Sequence, residues 1–474
     1  MLFNSGNYFV FLIIVFFLYW LLASRRAVPV LFLLAASYYF YALWNPKCLV
    51  LIFLLSTIDF LCARGLGANH SRGARKLLLG ISILSDVGTL FVFKYFNFFS
   101  ASLTELTSRF GIHTSPRIFA NLVLPLGLSF ITFRSLSYVV DVYRGTLRPT
   151  RHYFDYLAFV AFFPTVVAGP VVRAADLLPQ FRERPLLTTA NGTQAIFLIM
   201  LGLIKKIAIA DFLGNNLVDR VFDQPQLYSA LETLAAIYGY ALQIYFDFSG
   251  YSDIAIGSAL LLGFKLPINF DAPYRARDLR EFWRRWHITL SSWLFDYVFV
   301  SLGGLRKRRF NLYRNLFLTF LIGGLWHGAA WTFVAWGALH GIGLSLNHWW
   351  SRSPRGKPKP GVPRVWAKAI GVFVTFHFVC LTWVLFRAET MAQALEILKR
   401  LTARQYAHGN LATPILITIG LGLISHWLPD DLLGKTRQGL AWLPAPIQAA
   451  LILAIAVGLY YVSGAEAQFI YGNF

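Results

Sequence analysis

The chain has 474 residues, of which 57% are hydrophobic and only 14% charged, where an ordinary soluble protein carries about 25% charged residues. A water-soluble globule is excluded, and apolar runs of span length recur from end to end. The formal net charge of +21 gathers in short loops between those runs, the positive-inside pattern of a membrane protein rather than the footprint of a nucleic-acid binder.

Met1 to Tyr8 carries no positive side chain and so lacks the n-region of a cleaved signal peptide. Asn7 to Ala23 is therefore a retained first span, and Arg25-Arg26 after it place the N-terminus outside. Val28 to Leu43, Cys48 to Cys62 and Leu77 to Phe99 alternate across the membrane, with a basic loop at Arg64, Arg72, Arg75 and Lys76. Ser100 to Pro116 reads as a polar outer loop, and Leu122 to Val142 returns to Arg144, Arg148 and Arg151. Cys48, Cys62 and Cys380 lie in or beside apolar runs at spacings that fit no zinc, CxxC or disulfide framework. No metal site is expected.

The middle alternates less cleanly. Tyr153 to Ala168 is apolar but short, with basic flanks, as a re-entrant segment would be. Lys205-Lys206 interrupt Ala195 to Leu213. Asp247, Ser249, Gly250 and Asp253 separate Leu234 to Phe246 from Ile254 to Phe264. Those carboxylates read either as relay or binding groups at membrane depth or as caps of helix starts around Gly250.

Arg277 to Tyr297 has Leu279, Phe282, Trp283, Trp286, Leu290, Trp293 and Leu294 at i, i+3, i+4, i+7 spacing, with Arg277, Arg280 and Arg284 on another face. That pattern predicts one amphipathic helix lying in the interface plane. His287 falls at the edge between the two faces, where it can anchor at headgroups or meet a buried site.

Basic loops at Arg306 to Arg309 with Arg314, and at Arg352 to Lys368, should both be cytoplasmic. A single helix joining them would far exceed a hydrocarbon core of about 30 Å. Two arms with a turn near Gly328 to Thr332 are expected, placing His327 roughly 20 Å from the cytoplasmic end at ~1.5 Å per residue. Val365 to Leu385, Pro414 to Trp427 and Ile447 to Val462 are further spans, and Glu389 to Arg404 reads as a surface helix.

Within that apolar turn region stands Gly323-Gly324-Leu325-Trp326-His327-Gly328-Ala329-Ala330-Trp331. An imidazole at membrane depth is costly and usually faces a protein interior or a wet cavity. It is also the side chain best suited to take a proton from a hydroxyl near neutral pH. His327 thus reads as a buried hydrogen-bonding residue or as a general base. Gly323, Gly324 and Gly328 allow another helix or a substrate to approach the backbone closely, and with Trp326 they would line a narrow passage.

Trp326-His327-Gly328, with Trp331 and then Trp336-Gly337-Ala338-Leu339-His340-Gly341, resembles the signature of the membrane-bound O-acyltransferase family, in its branch that acetylates exported polysaccharides. Phe282-Trp283-Arg284-Arg285-Trp286-His287-Ile288-Thr289-Leu290-Ser291 resembles the second family motif. Leu124 to Phe130, Ser137 to Gly145, Phe162 to Arg173, Asp247 to Asp253 and Asn269 to Tyr274 match other family blocks. One departure is Phe295 before Asp296-Tyr297, where relatives usually carry Arg.

The resemblance implies an all-α polytopic fold of roughly 10–12 membrane helices plus re-entrant and interfacial helices. It implies one membrane-embedded domain, with N-terminal spans over 1–99, a catalytic core over 117–350 and C-terminal spans over 365–474. His327 and His287 are the implied catalytic residues, with Trp283, Arg284 and Trp286 beside them at the substrate. No bound cofactor is implied. The acyl donor, acetyl-coenzyme A or an acyl carrier protein, is a substrate used from the cytoplasmic face of a bacterial inner membrane. The acceptor is an exported glycan or an extracytoplasmic partner protein. A D-alanyl transferase of cell-wall polymer and a non-catalytic acyl or lipid transporter remain alternatives. Neither histidine motif contains GxSxG or a Cys, so no acyl-enzyme is indicated.

Overall fold

In a computed structural model the chain is described over residues 3–25, 27–68, 71–111, 125–167, 169–304, 309–353, 364–429, 431–462 and 470. Among these residues every regular element is helical. Three helices are long and apolar enough to cross a membrane, Pro46–Ala68, Arg72–Ser108 and Val365–Arg387, and a bent pair at Thr413–Trp427 and Leu432–Trp442 would make a fourth. Length and apolarity alone thus mark fewer spans than the ten or so read from the sequence. Other apolar helices, such as Gly6–Leu22 and Val28–Ala42, are shorter, and others carry charges that are paired inside the protein. The basic stretches Arg306 to Arg308 and Arg355 to Lys359 lie outside the described residues.

The chain divides into two compact units, Met1–Thr188 with Ser258–Pro267, and Thr189–Gly257 with Ile268–Phe474. The 117–350 stretch is shared between them.

In the first unit, Gly6–Leu22, Val28–Ala42 and Pro46–Ala68 follow one another as apolar helices. The expected outer loop from Ser100 is instead helical through Ser108, because Arg72–Leu90, a wider turn at Phe91–Tyr95 and Phe96–Ser108 run on without a break. Leu103 and Leu106 keep an apolar face there, and Arg109 pairs with Glu105 one turn back at 2.9 Å. The short Tyr153 segment forms two buried helices, Tyr153–Ala161 and Phe163–Val166. A buried segment must satisfy the carbonyls its broken helices release. Arg134, itself buried, does so by donating to Val160 O at 2.9 Å, to Phe159 O at 3.3 Å and to Thr165 O.

In the second unit, Ala230–Leu261 is one continuous helix up to the unit boundary at Gly257. Asp247 and Asp253 therefore lie mid-helix and cap nothing. They pair with the two lysines that interrupt the neighbouring apolar run: Lys205 Nζ to Asp253 at 2.6 Å, and Lys206 Nζ to Asp247 and Asp211 at 2.7 Å each. Lys206 and Asp247 are buried and Lys205 and Asp253 partly so, and a buried charge persists in a protein only when paired. Close helix approach makes the pairing reachable, because a Cβ on Gly202 would come 2.5 Å from Gly250 O, and one on Gly257 2.6 Å from Ala195 O. The Thr189–Leu203 helix and the Ala230 helix thus touch backbone to backbone.

Met391–Arg400 is the expected surface helix, opened by Thr390, whose Oγ1 accepts from Gln393 N at 3.1 Å. Arg309–His327 and Trp331–Arg352 are the two expected arms.

Candidate active site

His327 is the last residue of its arm, and the returning arm begins at Trp331, so the reversal occupies Gly328 to Ala330. Small residues permit the abrupt turn, and Ala330 is already extended at φ −146°. His327 is 3% exposed. Its ring packs against Trp326 at 4.8 Å, Trp336 at 5.1 Å and Phe386 at 5.0 Å between centroids. The aromatic box is closed from the Arg364–Arg387 helix, which contributes Phe386 and Trp383.

The stretch around His287 departs from the expected single interfacial helix. Leu279–Arg285 and Ile288–Trp293 are separate short helices, and His287 between them adopts a left-handed backbone, φ +41° and ψ +55°. The break is held by an upstream loop. Ile288 N donates to Asn269 O at 2.9 Å, Asp271 N donates to Arg285 O at 3.0 Å, and Thr289 Oγ1 donates to Asn269 Oδ1 at 2.7 Å. An apolar stripe wide enough for an interfacial helix is here enclosed by protein. Phe282, Trp283, Trp286 and Leu290 are all buried, and His287 is 0% exposed.

The break brings His287 beside Trp326, with ring centroids 6.1 Å apart. Phe248, from the Ala230 helix, meets His287 edge-on at 4.6 Å, and Phe270 stacks at 6.4 Å. The structure thus brings His287, Trp326 and His327 into one cluster, with Trp286 joined to it through Trp383 at 5.0 Å. Trp283 packs on Trp336 at 5.8 Å. Arg284 points away and is exposed. Its neighbour Arg285 is held by Glu281 at 3.1 Å and Asp271 at 2.7 Å. Phe295 is half exposed and stacks on Phe299 at 5.3 Å.

The glycines do not line an open passage. A Cβ on Gly324 would strike Phe333 O and come within 3.1 Å of Gly337 Cα; one on Gly328 would strike the Phe333 ring. A Cβ on Gly323 would come 3.2 Å from Leu294. The space beside Gly324 and Gly328 is filled by the returning arm and that beside Gly323 by Leu294, so they serve close packing rather than substrate.

His340 is fully used. Trp283 Nε1–H donates to its Nδ1 at 3.3 Å, which leaves Nε2 to donate to Thr382 Oγ1 at 3.0 Å, and Thr382 donates on to Val379 O at 2.9 Å. That network assigns a neutral Nε2–H tautomer and leaves no nitrogen for substrate. The sequence reading missed Phe248, Thr382, Trp383 and Phe386. Phe248 lies in the polar Asp247–Asp253 interruption, whereas Thr382, Trp383 and Phe386 lie on a helix that appears in sequence only as an apolar span, where they recur at helical spacing.

A buried imidazole with an aromatic enclosure and a second buried imidazole near the same indole can accept and return a proton away from bulk water. The profile of MBOAT, the membrane-bound O-acyltransferase family, matches residues 72–386. The chain is 41% identical over 392 residues to a probable alginate O-acetylase of Pseudomonas aeruginosa, covering 82% of this chain and 73% of that protein. It is 37% identical over 429 residues to a peptidoglycan O-acetyltransferase of Helicobacter pylori, covering 84% and 79%. To a teichoic acid D-alanyltransferase of Streptococcus thermophilus it is 33% identical over 285 residues, covering 55% and 68%. The chain belongs to the membrane-bound O-acyltransferase family and is a membrane-embedded acyltransferase.

Proposed function

We propose that the protein moves an acyl group, acetyl in the first instance, from a cytoplasmic donor to hydroxyls of an exported polysaccharide. His327 is the general base and His287 positions donor or acceptor. The observation that carries this reading is the burial of His327 at the tip of its helical hairpin, with the equally buried His287 packed near the same Trp326 ring. The relatives at 41% and 37% identity, a probable alginate O-acetylase and a peptidoglycan O-acetyltransferase, support acetyl over D-alanyl transfer.

The donor is acetyl-coenzyme A or an acyl carrier protein, and a basic cytoplasmic face suits either. The acceptor is reached through an extracytoplasmic partner or the glycan itself. The protein sits in a bacterial inner membrane with its N-terminus outside.

Reconstitution into sealed vesicles with donor on one face tests the reading. His327→Ala should cut turnover at least ~100-fold, as loss of a positioned base does, while the protein still purifies in folded form. Retention of more than about a tenth of the rate, or equal transfer with donor on either face, would sink it.

A further inference from the structure

The His327 hairpin holds polar atoms that proton transfer does not use. Trp336 is 1% exposed and Trp383 is 0% exposed, yet neither indole N–H reaches an acceptor among the described residues. Thr332 Oγ1, in the first turn of the same helix as Trp336, is likewise buried without a partner. Buried indole N–H groups ordinarily find an acceptor. Trp283, in the same cluster, does find one at His340. The unpaired indoles are also placed together. Trp336 meets His327 edge-on at 5.1 Å and stacks on Trp383 at 5.7 Å, and Trp383 contacts Trp286, the residue before His287.

Acyl transfer needs a donor of this kind. The attack turns a carbonyl oxygen into an oxyanion, and a preorganised N–H aimed at it in a water-poor site supplies much of the rate enhancement. We propose that the Trp336 indole N–H is that donor. The inference rests on acyl transfer taking place at His327. A lone pair of the acceptor hydroxyl forms the new C–O bond as His327 takes the hydroxyl proton, and the carbonyl π pair moves onto oxygen, where Trp336 holds it. The C=O then re-forms, the bond to the donor's leaving group breaks with its electron pair, and the imidazolium returns the proton to that leaving group. Trp383 backs the Trp336 ring through the stacked contact.

The test replaces the N–H without altering the ring's shape, by incorporating benzothienylalanine, with sulfur in place of N–H, at position 336. The expected result is a fall in kcat of roughly 10²–10³-fold, with KM and the thermal midpoint unchanged. The same replacement at the exposed Trp442, outside the cluster, should leave kcat within about threefold. A kcat within about threefold of wild type for the 336 variant would overturn the proposal, as would a loss accompanied by a raised KM or a lowered midpoint. Failure of the wider reading looks different. If His327→Ala still turns over, the site itself is misassigned, whereas an inactive His327→Ala beside an active 336 variant removes only the Trp336 role.

Discussion

Trp283 gives its indole proton to His340 Nδ1 across 3.3 Å, tying the broken helix before His287 to the returning arm of the His327 hairpin. The far side of the same imidazole reaches Thr382 on a third helix at 3.0 Å. His340→Ala should therefore cost stability more than chemistry. Leaving these buried partners unsatisfied is worth about 1–3 kcal/mol each. Denaturant unfolding in detergent should show that loss, with KM and kcat recovering together in His340→Gln. A stable His340→Ala with a selectively lowered kcat would instead make His340 part of the reaction.

The left-handed backbone of His287 separates its conformation from its side chain. Glycine adopts that region freely, and a non-glycine residue pays roughly 1–2 kcal/mol there. His287→Gly should fold at least as well as wild type by thermal unfolding and still lose most turnover. His287→Val, branched at Cβ, should lose both. Equal stability of the two variants would mean that the break is not fixed at this residue.

Lys206 and Asp247 should be strongly coupled. Breaking a buried pair by removing one partner typically costs 3–5 kcal/mol, about as much as such pairs show. Lys206→Met, which strips the partner from Asp247 and Asp211 alike, should destabilise on that scale; Asp247→Leu, which leaves Lys206 paired with Asp211, should cost less, and the double variant should recover part of the lysine variant's loss. Unfolding free energies from the four proteins of the cycle decide the matter, and additive losses would contradict the coupling.

Glycine variants distinguish contact from passage. Gly324→Ala sets a methyl group against Phe333 O and should destabilise by about 1–3 kcal/mol, as overpacking does. Gly420→Ala, in the Thr413–Ile424 helix with nothing within 4 Å of its added carbon, should be neutral or stabilising. Thermal midpoints of the two variants give the comparison. A fully stable Gly324→Ala with blocked transfer would restore the passage.

One acid-side effect follows from Glu281. Burial alone would raise its carboxyl, but the Arg277 backbone N–H and guanidinium, with Arg285, outweigh burial and hold it below the ordinary range. A depressed carboxyl contributes stability that is present above its unfolded value of about 4.3 and is lost as pH falls through the folded value. Glu281→Gln should therefore flatten the acid limb of a stability-against-pH curve below about pH 4.3. An unchanged limb would show that the ion pairs contribute nothing there.

The hairpin and its reversal were legible because composition and spacing carry them: an apolar run between two basic loops too far apart for one helix. The shape of the His287 segment was not legible. Periodicity reports which residues share an apolar face, and says nothing of whether lipid or protein covers it. Nor does it show that Asn269 would break the helix at residue 286 by taking its hydrogen bonds. The glycines misled for a related reason, since a small side chain marks a close approach without naming what approaches. Asp247 and Asp253 looked like caps because their lysine partners lie over forty residues upstream, and Asp253 bonds Lys205 at a separation of 48.

That separation also bears on biogenesis. Lys205 leaves the ribosome well before Asp253 exists, and a lone lysine at the centre of a bilayer costs roughly 2.5–3.5 kcal/mol on the insertion scale. Thr189–Leu203 and its extension past Lys206 are thus poor candidates for release into lipid on their own. They are expected to wait at the translocation channel until the Ala230 helix arrives, and then to enter the bilayer with it as a neutralised hairpin.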